Sequence, residues 1–275
     1  VQRFASPEDL TAADCTVEER EEYEPHVAMG TVVYAGVDYA QIVKRASAEG
    51  DVLLWDGGNN DFPFVQPDLH LVLVDPLRPG NEQGFHPGEA VLRMADVVIV
   101  VKVDSATAAD IQQVTDTARA INPDAVVGRG RSPVMLDDPD LVRNHRVLVI
   151  EDGPTLTHGG MSHGAGYVAA VNAGAASIVD PRPFATDTMR GVFEQYPHIG
   201  KVLPAVGYSR AQLDALQQTI KRSDAEVVVC GTPCDLGQLI ATDRPWVRAR
   251  YEFEESDNDT LSRALERFLT DHGLA

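Results

Sequence analysis

Lysine is scarce in this chain. Only four occur in 275 residues (Lys44, Lys102, Lys201 and Lys221), beside 19 arginines, 26 aspartates and 16 glutamates, for a formal net charge of −19. So acidic a surface repels nucleic acid and anionic lipid, which excludes both as non-specific partners. It suits either a high-salt cytoplasm, where screening makes it tolerable, or an acidic docking surface. Cysteine is as sparse. Cys15, Cys230 and Cys234 are odd in number, which argues against a disulfide framework and for a reducing, cytoplasmic compartment. The CxxxC spacing of Cys230 and Cys234 lacks a second Cys/His pair, so structural thiols are expected rather than a zinc site. Long apolar runs are missing too: the longest aliphatic one is Val97–Val101, far short of a membrane span, and no charged-then-apolar signal opens the chain. Neither a membrane span nor a secretory leader is expected from this pattern.

What is present is a regular alternation of short apolar runs and helical patterns from residue 31 onward. That is the signature of βαβ units and of a doubly wound, mostly parallel α/β sheet. Strands are expected at 31–35, 51–55, 69–74, 97–101, 125–127, 147–150, 176–179, 202–206, 226–229 and 247–253. Helices are expected at 39–49, 106–121, 165–173, 187–196, 209–222 and 260–272, with Ser209 capping one and Asn258 or Asp259 the last. Residues 1–30 read as a polar, irregular segment, and 31–275 as one α/β core. In open parallel sheets ligands bind beyond the carboxyl ends of the strands, so the residues following each run carry the functional reading.

The run 51–55 ends in Asp56-Gly57-Gly58. A strand-terminal aspartate can hold magnesium beside phosphates, as the Walker B aspartate of P-loop NTPases does, with glycines admitting the phosphate; an ordinary Asp-Gly turn reads the same way. After 69–74 comes a proline-stiffened loop with Arg78, His86 and Glu89, either a lid over an anion or a plain surface loop. Val97–Val101 runs into Lys102-Val103-Asp104, the end of a base-recognition motif whose expected Asn is Val101 here. Glu151 to Gly166 holds five glycines, two threonines and two histidines between a strand and a helix. Thr155, Thr157, Gly159, Gly160, Gly164 and Gly166 suit a phosphate cradle, and His158 a donor or acid/base. Close helix packing explains Gly164 and Gly166 equally, and His158 and His163 with Glu151 or Asp152 are an alternative metal set. Gly231-Thr232-Pro233 suits backbone contact to a nucleotide base, while Asp235 reads equally as a plain N-cap. No G-x-x-x-x-G-K-[ST] occurs, so a Walker A segment is expected upstream of residue 1.

The blocks "EEREEYEPH" (18–26), "YAGVDY" (34–39), "WDGGNND" (55–61), "DPLRPG" (75–80), "EDGPTLTHGGM" (151–161) and "GTPCDL" (231–236) resemble the cyclic 2,3-diphosphoglycerate synthetase family, including its relatives described only as predicted GTPases. The resemblance implies a P-loop NTPase-like core that is the later part of a longer polypeptide. It implies an ATP- and magnesium-dependent ligase that closes 2,3-diphosphoglycerate to its cyclic anhydride, releasing ADP and phosphate. On that basis Asp56 matches the metal and catalytic aspartate, Lys102 and Asp104 the base motif, and the loop from Thr155 to Gly166 the phosphate loop. GTP in place of ATP stays open because of Val101. The expected partners are a nucleotide and a small phosphorylated acid, met by Arg78 and His86; a homodimer is compatible. The alternatives are a GTP-dependent switch or metallochaperone-like NTPase, and a non-catalytic nucleotide-binding module.

Overall fold

Runs of β-branched residues without polar alternation make strands that must be covered on both faces. In the computed structural model, which describes residues 1–57, 62–206, 209–233, 236–256 and 259–274, such runs form the middle of two sheets. Among the described residues the strands are β1 (Gln2–Phe4), β2 (Val33–Ala35), β3 (Leu71–Val74), β4 (Val97–Val100), β5 (Val126–Arg131), β6 (Val134–Leu136), β7 (Arg146–Asp152), β8 (Ser177–Ile178), β9 (Leu203–Ala205), β10 (Val227–Gly231), β11 (Trp246–Tyr251) and β12 (Glu254–Glu255). The fold is mixed α/β with parallel sheets, as the alternation implies. Where the sequence suggests one core over 31–275, contacts gather in two units: residues 1–35 with 134–251, and residues 36–133 with 252–275.

In the first unit the sheet runs β6-β11-β10-β7-β8, with β9 also on β7. Only β6 is antiparallel to its neighbour. Strand β7 holds two partners on one edge because β8 pairs with its first two residues and β9 with its last three. Val147–Ile150 and Val227–Cys230 are removed from water, and Met189, Phe193, Leu216 and Ile220 join their core from the helices Asp187–Gln195 and Arg210–Arg222. Ser209 caps the second of these through a full capping box, as expected. The helix Ala165–Asn172 lies across β7, β10 and β11, which its small residues Gly166, Ala169 and Ala170 allow.

The expectation of an irregular segment over 1–30 is corrected. Helices Pro7–Ala12 and Val17–Ala28 follow β1, each opened by a capping box (Ser6 with Asp9, Thr16 with Glu19). They close a small core of Phe4, Leu10 and Val27.

In the second unit the sheet is β12-β5-β4-β3, with β3, β4 and β5 parallel and β12 antiparallel. Helices Gly88–Arg93 and Ala108–Ile121 cover one face through Leu92, Val114 and Ala118. Helix Thr260–Asp271 covers β4 and β5 on the other, where a Cβ on Gly128 would lie 2.8 Å from Thr260 Cβ. Asp259 stands at the N-cap position of that helix, as one of the two expected caps, but its side chain makes no cap bond, and the Glu255 carboxylate instead accepts from the Leu261 and Ser262 N–H groups. Asn258 lies outside the described residues. The run 51–55 is no strand either. It has no ladder partner among the described residues, and Val52, Leu53 and Leu54 are exposed, because an apolar run becomes a strand only where neighbours complete its hydrogen bonds.

Asn122 ties this unit together. Its buried amide donates to Leu92 and Ala95 carbonyls at 3.0 and 2.9 Å, and its oxygen accepts from Ala125 N–H. Asn122→Ala leaves those groups without partners and is expected to cost about 2 kcal/mol, read as a lowered urea midpoint at unchanged slope. Among the described residues no helix is long and apolar enough to cross a membrane.

Candidate functional site

At the carboxyl end of β7, two acids turn to different tasks. Asp152 caps the short helix Gly153–Thr157, accepting from Thr155 N–H at 3.0 Å and its hydroxyl at 2.7 Å. Glu151 is 1% exposed. Its Oε1 accepts from the N–H groups of Gly164 (3.0 Å) and Tyr167 (2.7 Å), and its Oε2 from Gly166 (3.2 Å). Burial pushes the carboxyl up to about 7, against the three N–H donors that favour its charge and with help from neighbouring Asp152.

This geometry bears on two glycines of the Gly-rich segment. The N–H groups of Gly164 and Gly166, expected to cradle phosphate, are spent on a carboxylate of the protein itself. A Cβ on Gly164 would lie 2.7 Å from Glu151 Oε2, and one on Gly231 only 2.4 Å from it. These glycines thus serve close packing around Glu151. Of the other candidates, Thr155 is bonded to Asp152, and the Thr157 hydroxyl donates to Gly153 O at 2.9 Å and meets His158 Nδ1 at 3.0 Å. Gly159 has no room for a Cβ, which would lie 2.5 Å from Thr155 O, and Gly160 holds φ +65°. His163 meets Ser162 Oγ at 2.9 Å and packs on Tyr167, and burial holds its imidazole below the usual value. No group of three His, Cys, Asp or Glu side chains suited to a metal is found among the described residues.

Beyond β10, Gly231 leads into Thr232, whose buried hydroxyl donates to Glu21 at 3.1 Å, and Pro233, whose carbonyl accepts from Arg248 at 2.8 Å. Tyr251 stands near this edge; desolvation and the charges of Asp152 and Glu21 hold its phenol above the usual range. Cys230 is buried within β10, as a structural thiol would be, and Cys234 and Asp235 lie outside the described residues.

The second unit brings two candidates of the sequence, Lys102 and Arg78, onto one carboxylate. Asp75, directly after β3, takes Lys102 Nζ at 2.8 Å and Arg78 Nη2 at 3.0 Å on the same oxygen, while Leu77 N–H donates to the other at 2.9 Å. Burial alone would raise Asp75, but the bond from Lys102, the Leu77 N–H and the two cations outweigh it and hold the carboxyl below its usual value. Lys102 reaches this place from a left-handed backbone, φ +54°, one residue beyond Val101. Asp104 does not join it; its carboxylate accepts from Ser132 N–H at 3.0 Å. His86 packs edge-on to Phe62 with ring centres 5.9 Å apart. Asp56 and Gly57 are exposed on the non-strand segment after Trp55, and Gly58 lies outside the described residues. Asp75 and Arg248 are residues the motifs did not single out for a role, and Glu151 was named only as an alternative metal ligand. The readable signal for Asp75 and Glu151 was an acid ending a wholly apolar strand.

No family model matches the chain. It is 52% identical over 268 residues to the arginine synthetase ArcE of Thermococcus kodakarensis, an alignment that covers 98% of this chain and 60% of that protein. The chain therefore spans about three-fifths of the length of that curated relative.

Proposed function

We propose that this chain acts in an ATP- and magnesium-dependent synthetase that forms arginine, working through a nucleotide-binding core of the P-loop NTPase type in the cytoplasm. The observation behind this reading is 52% identity over nearly the whole chain to a protein named arginine synthetase. A synthetase spends nucleotide cleavage on making a bond. The γ-phosphoryl passes to an oxygen of the substrate, and an attacking nitrogen then expels that oxygen as phosphate. The protein's part is positioning and charge neutralisation.

Lys102 and Arg78 suit the phosphoryl group. Asp75 aligns both cations on one oxygen, and an incoming phosphate meets two donors already side by side. Magnesium is held by one or two carboxylates together with phosphate oxygens and water rather than by a protein cage. The exposed Asp56 fits that requirement. Asp75 does not, since its oxygens are engaged by Lys102, Arg78 and Leu77. In the first unit His158 and the turn Gly231–Pro233 remain candidates for contact with a ligand.

A second reading, cyclisation of 2,3-diphosphoglycerate, is favoured by the blocks "WDGGNND" and "EDGPTLTHGGM". Both reactions activate an oxygen by phosphorylation, and the product separates them. The protein is incubated with ATP or GTP, magnesium, and either 2,3-diphosphoglycerate or citrulline with ammonium. Phosphorus NMR and amino-acid analysis then follow ADP, phosphate, cyclic anhydride and arginine. Arginine formation supports the proposal; cyclic anhydride supports the second reading. Nucleotide cleavage without either product sinks both and favours a switch. Lys102→Met is expected to lower kcat/KM for the nucleotide about 100-fold, and Asp56→Ala to abolish turnover at any magnesium concentration; parent-like steady-state kinetics would refute these roles.

A further inference from the structure

We propose that Trp246 and Arg248 form a site for a ligand's carboxylate, which, on the arginine-forming reading above, is the carboxylate of the amino acid. These two residues of β11 are alternate positions of one strand, so their side chains leave the same face about 7 Å apart. Both carry a buried donor, Trp246 Nε1 and Arg248 Nε, with no hydrogen-bond acceptor among the described residues. A buried donor without an acceptor costs about 1–3 kcal/mol, and native proteins keep few of them. Two on neighbouring positions of one strand face point to a single acceptor brought by a ligand.

The guanidinium is already aimed. Its Nη2 is fixed by Pro233 O at 2.8 Å, in the turn that follows β10. No carboxylate forms an ion pair with Arg248 among the described residues. The acid it influences, Asp137, is gripped at both oxygens by Arg250 at 2.6 and 3.1 Å. An indole N–H, a guanidinium N–H and a positive charge together select an oxyanion and repel a cation. The position suits a ligand: Arg248 pairs in register with Cys230, one residue before the carboxyl end of β10 in a parallel sheet. The chemistry is shared by carboxylates and phosphates. A planar carboxylate matches two N–H donors on one face, and an amino acid supplies it.

The chain has two tryptophans, Trp55 and Trp246, so Trp55→Phe leaves Trp246 as the reporter. Its fluorescence is titrated with arginine, with agmatine (the same molecule without the carboxylate), with acetate and with inorganic phosphate. Calorimetry measures arginine affinity in parallel. We expect a saturable change with arginine, none with agmatine or phosphate, and about tenfold weaker arginine binding in Arg248→Lys, with Trp246→Phe weakened likewise by calorimetry and circular dichroism unchanged in both. Arginine that binds by calorimetry while Trp246 stays silent and Arg248→Lys binds as the parent overturns the site but leaves the proposed function standing. Saturation by phosphate instead of arginine also overturns it. If arginine does not bind at all, the proposed function fails, and acetate decides the site: a response lost in Arg248→Lys keeps it, and no response, as for donors satisfied by water alone, removes it.

Discussion

Gly231→Ala should be among the most damaging single substitutions in the first unit, lowering stability by about 3–5 kcal/mol. The added Cβ would stand 2.4 Å from Glu151 Oε2, 2.8 Å from Gly166 N and 3.0 Å from Gly166 Cα. Two of these atoms are backbone of the helix Ala165–Asn172 and cannot swing away. The third belongs to a carboxylate pinned by three N–H groups. Relief therefore means pushing the helix off β10 or breaking the bonds of Glu151. Overpacking a filled core costs about 1–3 kcal/mol, and each buried donor that loses its acceptor adds about as much. Set against a typical total of about 5–15 kcal/mol, the loss is large. Gly191→Ala is the matched control. It sits in the helix Asp187–Gln195 with nothing within 4 Å of a new Cβ, and should be neutral or stabilising by up to about 1 kcal/mol. Urea denaturation of the three proteins decides the matter, and a Gly231→Ala midpoint equal to the parent's would refute the close-packing role.

The strands β4, β7 and β10 were legible because a run buried on both faces is written in consecutive residues. The run 51–55 carries the same signal and forms no strand, since pairing depends on partners that lie elsewhere in the chain. The helix Val17–Ala28 was missed for the opposite reason. Its five glutamates and internal Pro25 hide any apolar period, and only the capping boxes at Ser6 and Thr16 announced helices there. The candidate sites were legible as positions more than as roles. Asp75 and Glu151 were visible as acids ending apolar strands. Leu77 and Arg78 are close to Asp75 in sequence, but its third partner, Lys102, lies 27 residues away and the partners of Glu151 lie 13 to 16 residues away, and an acid at a strand end reads alike whether it meets a metal, a cation or backbone N–H groups. Gly164 and Gly166 turn their N–H groups to Glu151, and glycine content alone does not tell a loop that holds the protein's own carboxyl from one that cradles a phosphate.

That internal anion gives the stability of this protein a distinctive pH dependence, and Glu151→Gln should remove it. A carboxyl whose folded value is raised from 4.5 to about 7 favours folding most when neutral. Its contribution is complete below about pH 4.5, declines as pH rises toward 7, and above that is a constant cost of about 3 kcal/mol. Glutamine has the same shape, stays neutral, and cannot titrate. It also turns an amide N–H toward donors that need acceptors, an offset that does not vary with pH. The stability difference between parent and variant should therefore shift by about 3 kcal/mol between pH 4.5 and 7.5, in the parent's favour at the acid end. Asp75 and Asp137, whose carboxyls are held low by cations, contribute slopes of the opposite sign at lower pH. They are unchanged in the variant and cancel in the difference. Urea titrations at half-unit steps measure it, and a difference that stays flat would show that Glu151 remains ionised throughout, its three N–H donors having outweighed its burial. Where the difference does titrate, the same carboxylate, which holds the N–H groups of Gly164, Gly166 and Tyr167 at the start of the helix Ala165–Asn172, also closes the loop bearing His158, so turnover and stability should change over the same pH interval if that histidine serves the reaction.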